Sequence, residues 1–84
     1  MAIVPTVHLN GTSRDALVDQ LRAAIEAIHA AESKLTAAAP HGRDYYPQGS
    51  DAIRVAQQEH AARLTKLQEI ERELTQIALA IMDA

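Results

Sequence analysis

Apolar positions recur along most of this chain at alternating steps of three and four, the spacing of one helix face. Val18, Leu21, Ile25, Ile28, Glu32 and Leu35 form a first seam, interrupted only by Glu32. Ile53, His60, Leu67, Leu74 and Ile81 repeat every seven residues and define a second. Ala56, Ile70 and Ile77 fill the alternate positions of a heptad, with Leu64 beside them. Arg63 takes the remaining seam position and is expected to snorkel outward. Residues 2–10 differ. Pro5 and the β-branched residues argue against helix, and Ile3, Val7 and Leu9 alternate as in an extended arm packed on one side.

The punctuation sets the boundaries. Asn10-Gly11 turns the chain. Thr12 is the favoured N-cap, with Asp15 completing a capping box, and Ser13 competes for the role. Pro40 ends the helix, because the residue before a proline is pushed out of the α region. Ser50 is the expected cap of the second helix, with Asp51 in its first turn. The predicted fold is all-α: an extended N-terminal arm over 1–11, then a two-helix antiparallel hairpin over 12–84. Its parts are a helix at 12–38, a loop at 39–49 and a helix at 50–83. The helices would span about 40 Å and about 50 Å. The longer one leaves an apolar end, Ile77, Leu79, Ile81 and Met82, to pack on the arm or on another subunit.

Composition adds the expectation of self-association. Of 84 residues, 48% are hydrophobic, and the commonest of those is alanine, which buries little area. There is no Trp, Phe or Cys, so neither a large ring nor a disulfide holds a small core together. Ala16, Ala23, Ala27 and Ala30 make a small stripe that would let another helix approach. The chain is therefore expected to complete its core as a homo-oligomeric, coiled-coil-like bundle. Its net charge of −3 gives no footprint for duplex nucleic acid. No run has the length of a membrane span and no secretory pattern precedes the helices, which points to the cytoplasm. Over 29–66, five Lys and Arg face four acids; the remainder carries three against seven, so the loop end is mildly basic and the terminal end acidic.

The loop concentrates the scarce chemistry. It holds both tyrosines, two of three prolines and two of three glycines. As a ligand clamp, Tyr45 or Tyr46 would stack on a base, Arg43 would fork to a phosphate, and Gly42 would let the backbone come close. Asp44 and His41 complete the constellation, and Lys34, Arg54 and Arg63 would add charge. Equally, the prolines and glycines make a stiff crossover, with Asp44 bonding backbone amides and the tyrosines roofing the hairpin.

Closing the hairpin at residues 44–45 would put His29 and Glu32 near His60, with Arg63 close by. A carboxylate and two imidazoles at one depth raise the question of a metal. Di-iron bundles need two Glu-x-x-His pairs and further glutamates, whereas this chain offers one reversed His-x-x-Glu and one loose His. The prediction is thus no metal or other cofactor, and a polar layer of His29, Glu32 and His60 that fixes register. No nucleophile elbow, phosphate loop or dinucleotide fingerprint is present, and no enzyme is expected.

At His8-Leu9-Asn10-Gly11-Thr12-Ser13, at Ala39-Pro40 through the Gly42-Arg43-Asp44-Tyr45-Tyr46 run, and at His60-Ala61-x-Arg63, the chain resembles small helical proteins of tailed phages and prophages. That resemblance implies a phage origin and a place in the bacterial host's cytoplasm. In architecture and loop chemistry the chain is also similar to phage sponges, short helical proteins that oligomerise and sequester nucleotide immune signals. The leading expectation is a non-enzymatic protein binding a phosphorylated small ligand, a cyclic or linear nucleotide. The alternatives are a protein-interaction module, acting as inhibitor or adaptor, and a structural virion or scaffold component.

Overall fold

A computed structural model describes residues 2–83; Met1 and Ala84, the outer ends of the predicted arm and hairpin, lie outside the described residues. The chain is a helical hairpin. Helix α1 spans Arg14–Ala37 and helix α2 spans Ala52–Met82. Two short 3-10 turns, Gly42–Asp44 and Tyr46–Gln48, connect them, and no strand occurs among the described residues.

Both predicted helix starts move. Ser13 caps α1, its hydroxyl accepting the Ala16 N–H at 3.2 Å. Thr12 therefore lies outside the helix, and Asp15 falls too early in the first turn to close a capping box. Ser50 does not cap α2, which begins behind Asp51 with no side-chain cap. The Ala52 N–H turns back instead to the Gly49 carbonyl at 3.4 Å. Gly49 makes that turn with φ 114° and ψ 164°, a conformation essentially reserved for glycine.

The α1 seam is the predicted one: Val18, Leu21, Ile25, Ile28, Glu32 and Leu35 are all partly covered. The α2 seam is not. Ile53, His60, Leu67, Leu74 and Ile81 point inward, but Ile70 is half exposed and Arg63 is exposed. Leu64, Glu71 and Ala78 take the positions assigned to Arg63, Ile70 and Ile77. The two rows share the anchors that recur every seven residues and differ in the step taken after each: the expected row moves on three residues from His60, Leu67 and Leu74, whereas the covered row moves on four, to Leu64, Glu71 and Ala78. Both steps fall on the same helix face, so spacing alone does not choose between them. Ile77 keeps partial cover at its edge.

The register also departs from a hairpin closed at 44–45. His60 Nε2–H donates to the Leu35 carbonyl at 2.8 Å, and His29 faces Glu71, about three helical turns further along α2 than the predicted partner His60. The first two turns of α2 thus run past the end of α1. The loop folds over them, with Pro40, Gly42 and Tyr45 half covered and Ala56 buried beneath. At the other end Ala2 and Val4 line a small cleft with Glu73, Gln76 and Ile77, so the arm packs on α2 as anticipated. Its inward residues are Val4 and Val7, however; Ile3 and Leu9 are almost fully exposed. The His8 carbonyl accepts the Gly11 N–H at 3.1 Å, so Leu9 and Asn10 form the tip of that turn. The His8 ring lies so close to Gly11 that a Cβ there would meet it at 2.7 Å.

The result is a rod of 61 × 22 × 17 Å. Its radius of gyration is 18.4 Å, against about 12 Å for a compact domain of this length. Two layers of helix leave little interior: among the described residues Ala56, Ala78 and Ile81 are the buried apolar ones, and of these only Ile81 is wholly enclosed.

Candidate functional site

The loop is ordered by its own backbone. The Asp44 and Tyr45 amides donate to the His41 and Gly42 carbonyls, both at 3.0 Å. The Gln48 and Gly49 amides donate to the Tyr45 and Tyr46 carbonyls at 2.9 and 3.2 Å. His41, not Asp44, lends a side chain: its Nδ1 accepts the Arg43 N–H at 3.2 Å. The two tyrosines part company. Tyr45 is half buried and serves as the roof, while Tyr46 is 76% exposed. Arg43 and Asp44 are exposed beside them. A Cβ on Gly42 would meet nothing within 4 Å, so the chain itself does not require glycine there.

The outlying cations are not drawn into the loop. Arg54 lies 4.0 Å from Asp51 in an exposed pair on its own helix. Lys34 and Arg63 are exposed on the flanks of α1 and α2. His41, Arg43, Asp44 and Tyr46 are thus exposed along the loop, with Gly42 and Tyr45 partly covered, while Lys34, Arg54 and Arg63 lie on the helices.

The second constellation is rebuilt. Glu32 leaves the company of His60, which instead meets the carbonyl of Leu35 near the end of α1. In place of His60, α2 supplies Glu71. His29 Nδ1 lies 3.4 Å from Glu71 Oε1 and 3.9 Å from Glu32 Oε2. All three atoms fall within 4.8 Å of one another. Glu32 is well covered, its side chain 13% exposed, whereas the His29 ring is mostly in solvent. The same two carboxylate oxygens are buried and have no hydrogen-bond partner. Burial, and then the adjoining Glu71 carboxyl, push the Glu32 carboxyl above the ordinary carboxylate range, with His29 pulling the other way. An open cleft of about 660 Å³ gives onto this cluster, lined also by Gln68, Arg72, Thr75 and Gln76.

Glu71 was missed because a strict heptad put Ile70 on the seam. A local signal marked it. Glu32-Ser33-Lys34-Leu35-Thr36 and Glu71-Arg72-Glu73-Leu74-Thr75 share the pattern Glu-x-x-Leu-Thr. In each, the threonine hydroxyl donates to the glutamate carbonyl at 2.8 Å. Ile25 and Ile28 precede Glu32 at the spacing at which Leu64 and Leu67 precede Glu71. The antiparallel pair therefore sets matching segments face to face, with the glutamates at their meeting point.

A second open cleft, of about 430 Å³, lies at the terminal end between α1 and Met82, lined by Arg14, Asp15, Val18, Asp19 and Arg22. Asp19 and Arg22 stand 3.9 Å apart there as an exposed pair. Among the described residues no helix is long and apolar enough to cross a membrane. No protein family, curated protein or solved structure matches this chain.

Proposed function

We propose that the chain is a non-enzymatic binding protein that works as a homo-oligomer and holds a phosphorylated small ligand at its loop. Tyr46 carries the reading: an aromatic face left 76% exposed on a loop whose backbone is otherwise fixed. Arg43, three residues earlier, is exposed as well. A ring that stacks and a guanidinium that forks to phosphate together suit a nucleotide. The resemblance to phage proteins makes a host immune signal the nucleotide to be sequestered.

The clefts described above lie along the helices, away from the loop. The remaining walls would come from a second copy. The surface has area to spare for this. The chain exposes 6273 Å², where a compact protein of its mass exposes about 4,900 Å². The excess is larger than the roughly 800 Å² per partner of a standard interface.

The test is calorimetry with a panel of cyclic and linear nucleotides against the unaltered chain, Tyr46→Ala and Arg43→Ala. We expect each substitution to weaken binding by more than about tenfold while helicity is retained. The arginine effect should shrink as salt rises. A second reading, a protein-interaction module, is favoured by the exposed Val55, Ile70, Leu79 and Met82. Absence of binding to every nucleotide by the unaltered chain would promote it.

A further inference from the structure

We propose that His29, Glu32 and Glu71 together bind one divalent transition-metal ion of the zinc class, bridging α1 and α2. The atoms that converge are the atoms a metal would use. His29 Nδ1 faces Glu71 Oε1 at 3.4 Å and Glu32 Oε2 at 3.9 Å. Hydrogen bonds from a ring nitrogen to a carboxylate would be shorter, about 2.7–3.2 Å. A zinc ion with bonds of about 2.0–2.2 Å at tetrahedral angles holds its ligand atoms about 3.3–3.6 Å apart. The His29–Glu71 separation already has that length, and a small turn of the solvent-exposed imidazole brings in Glu32.

The two carboxyl groups lie side by side, and a proton on Glu32 is the competing way to neutralise them. Glu32 Oε2 and Glu71 Oε1 are both buried and neither has a hydrogen-bond partner, although such groups are costly unless something neutralises them. A cation between them answers the burial, the repulsion and the missing partners at once. The donor set selects its class. One imidazole nitrogen and two carboxylates suit zinc and its neighbours, whereas calcium and magnesium prefer all-oxygen shells of six or more. Three protein ligands leave a fourth position toward the open cleft, where water would complete the shell. Arg72 lines the same cleft as a cation, which lowers affinity without occupying any of the three donor atoms.

The site is independent of the loop, and so is its test. The full-length chain, stripped with chelator, is titrated with Zn²⁺ at neutral pH by calorimetry, with melting curves in parallel. We expect one zinc per chain at micromolar affinity or tighter, and a rise in melting temperature. His29→Ala, on a ring that is 76% exposed, leaves the fold intact and should weaken zinc binding at least tenfold. Glu71→Gln should do the same and abolish the zinc-dependent melting shift, while His41→Ala and His60→Ala should leave zinc affinity unchanged. The proposal is overturned if the unaltered chain takes up no zinc. It is equally overturned if His29→Ala and Glu71→Gln bind zinc as the unaltered chain does, which would assign the metal to other histidines. Nucleotide binding at Tyr46 should be the same with and without zinc.

Discussion

Glu32 is the residue where the folded chain works against itself. Its carboxyl is raised by burial and by Glu71, so the folded state holds the proton more tightly than the unfolded chain does. The stability this confers is complete below the ordinary glutamate value of about 4.3 and is lost as pH rises through the higher folded value. We therefore expect Glu32→Gln, measured with chelator present, to flatten the fall in melting temperature as pH rises above the ordinary glutamate value. Glu32→Leu should melt higher than the unaltered chain at neutral pH, since apolar substitutes for buried ionic groups are often stabilising. Identical pH slopes for the unaltered chain and Glu32→Gln would show that Glu32 ionises without penalty. His60 is a contrasting case. Its Nε2–H is committed to the Leu35 carbonyl, which also accepts the Ala38 N–H at 3.0 Å, so its role is to tie α2 to the last turn of α1 through a carbonyl's second lone pair.

At the scale of the elements, the seam of α2 tests whether the covered row steps three or four residues beyond each anchor. Ile81 is wholly enclosed and Ile70 is half exposed, although the expected row places both inward. Ile81→Ala should cost about 2–5 kcal/mol in chemical denaturation, while Ile70→Ala should stay within about 0.5 kcal/mol in dilute monomer. Equal losses at the two positions would favour the expected row, with Ile70 inward, over the observed one. Much of this level was legible in the sequence. The α1 row from Val18 to Leu35 and the Pro40 stop follow from side-chain spacing and proline sterics alone. The α2 row was half legible, because Arg63 among apolar neighbours already signalled a wrong assignment, and Leu64 was the correct alternative. The register was not legible. It depends on how a loop with two 3-10 turns spends its length, and His41 to Gly49 give no periodicity from which to read that. Glu71 joined the site only once the covered row of α2 and the register were both known.

At the scale of the whole molecule, the rod has more surface than interior. Ile3, Leu9, Ile70, Leu79 and Met82 lie outside, and the small stripe of Ala23, Ala27 and Ala30 is exposed along α1. Small domains without disulfides or metals seldom persist in this form alone. Sedimentation at micromolar concentration should therefore give a mass that is a multiple of 9.1 kDa. Ile70→Glu should move the distribution toward the single chain with helicity retained. A stable monomer of the unaltered protein would remove the basis for a loop site completed by a second copy, while leaving the His29–Glu32–Glu71 site intact, since one chain supplies all three residues.

The overhang of α2 beyond Leu35 has a consequence for how the rod comes apart. Resistance to opening follows the number of apolar neighbours, and the turns around Ala52 to Glu59 have the loop where the rest of α2 has a helix. We expect hydrogen exchange to find this end, beyond the contact of His60 with the Leu35 carbonyl, fraying and reclosing while the seam from Leu64 to Ile81 stays shut. A molecule captured at Tyr46 would then be felt first as slower local fraying at the loop end, with little change in the global unfolding of the hairpin.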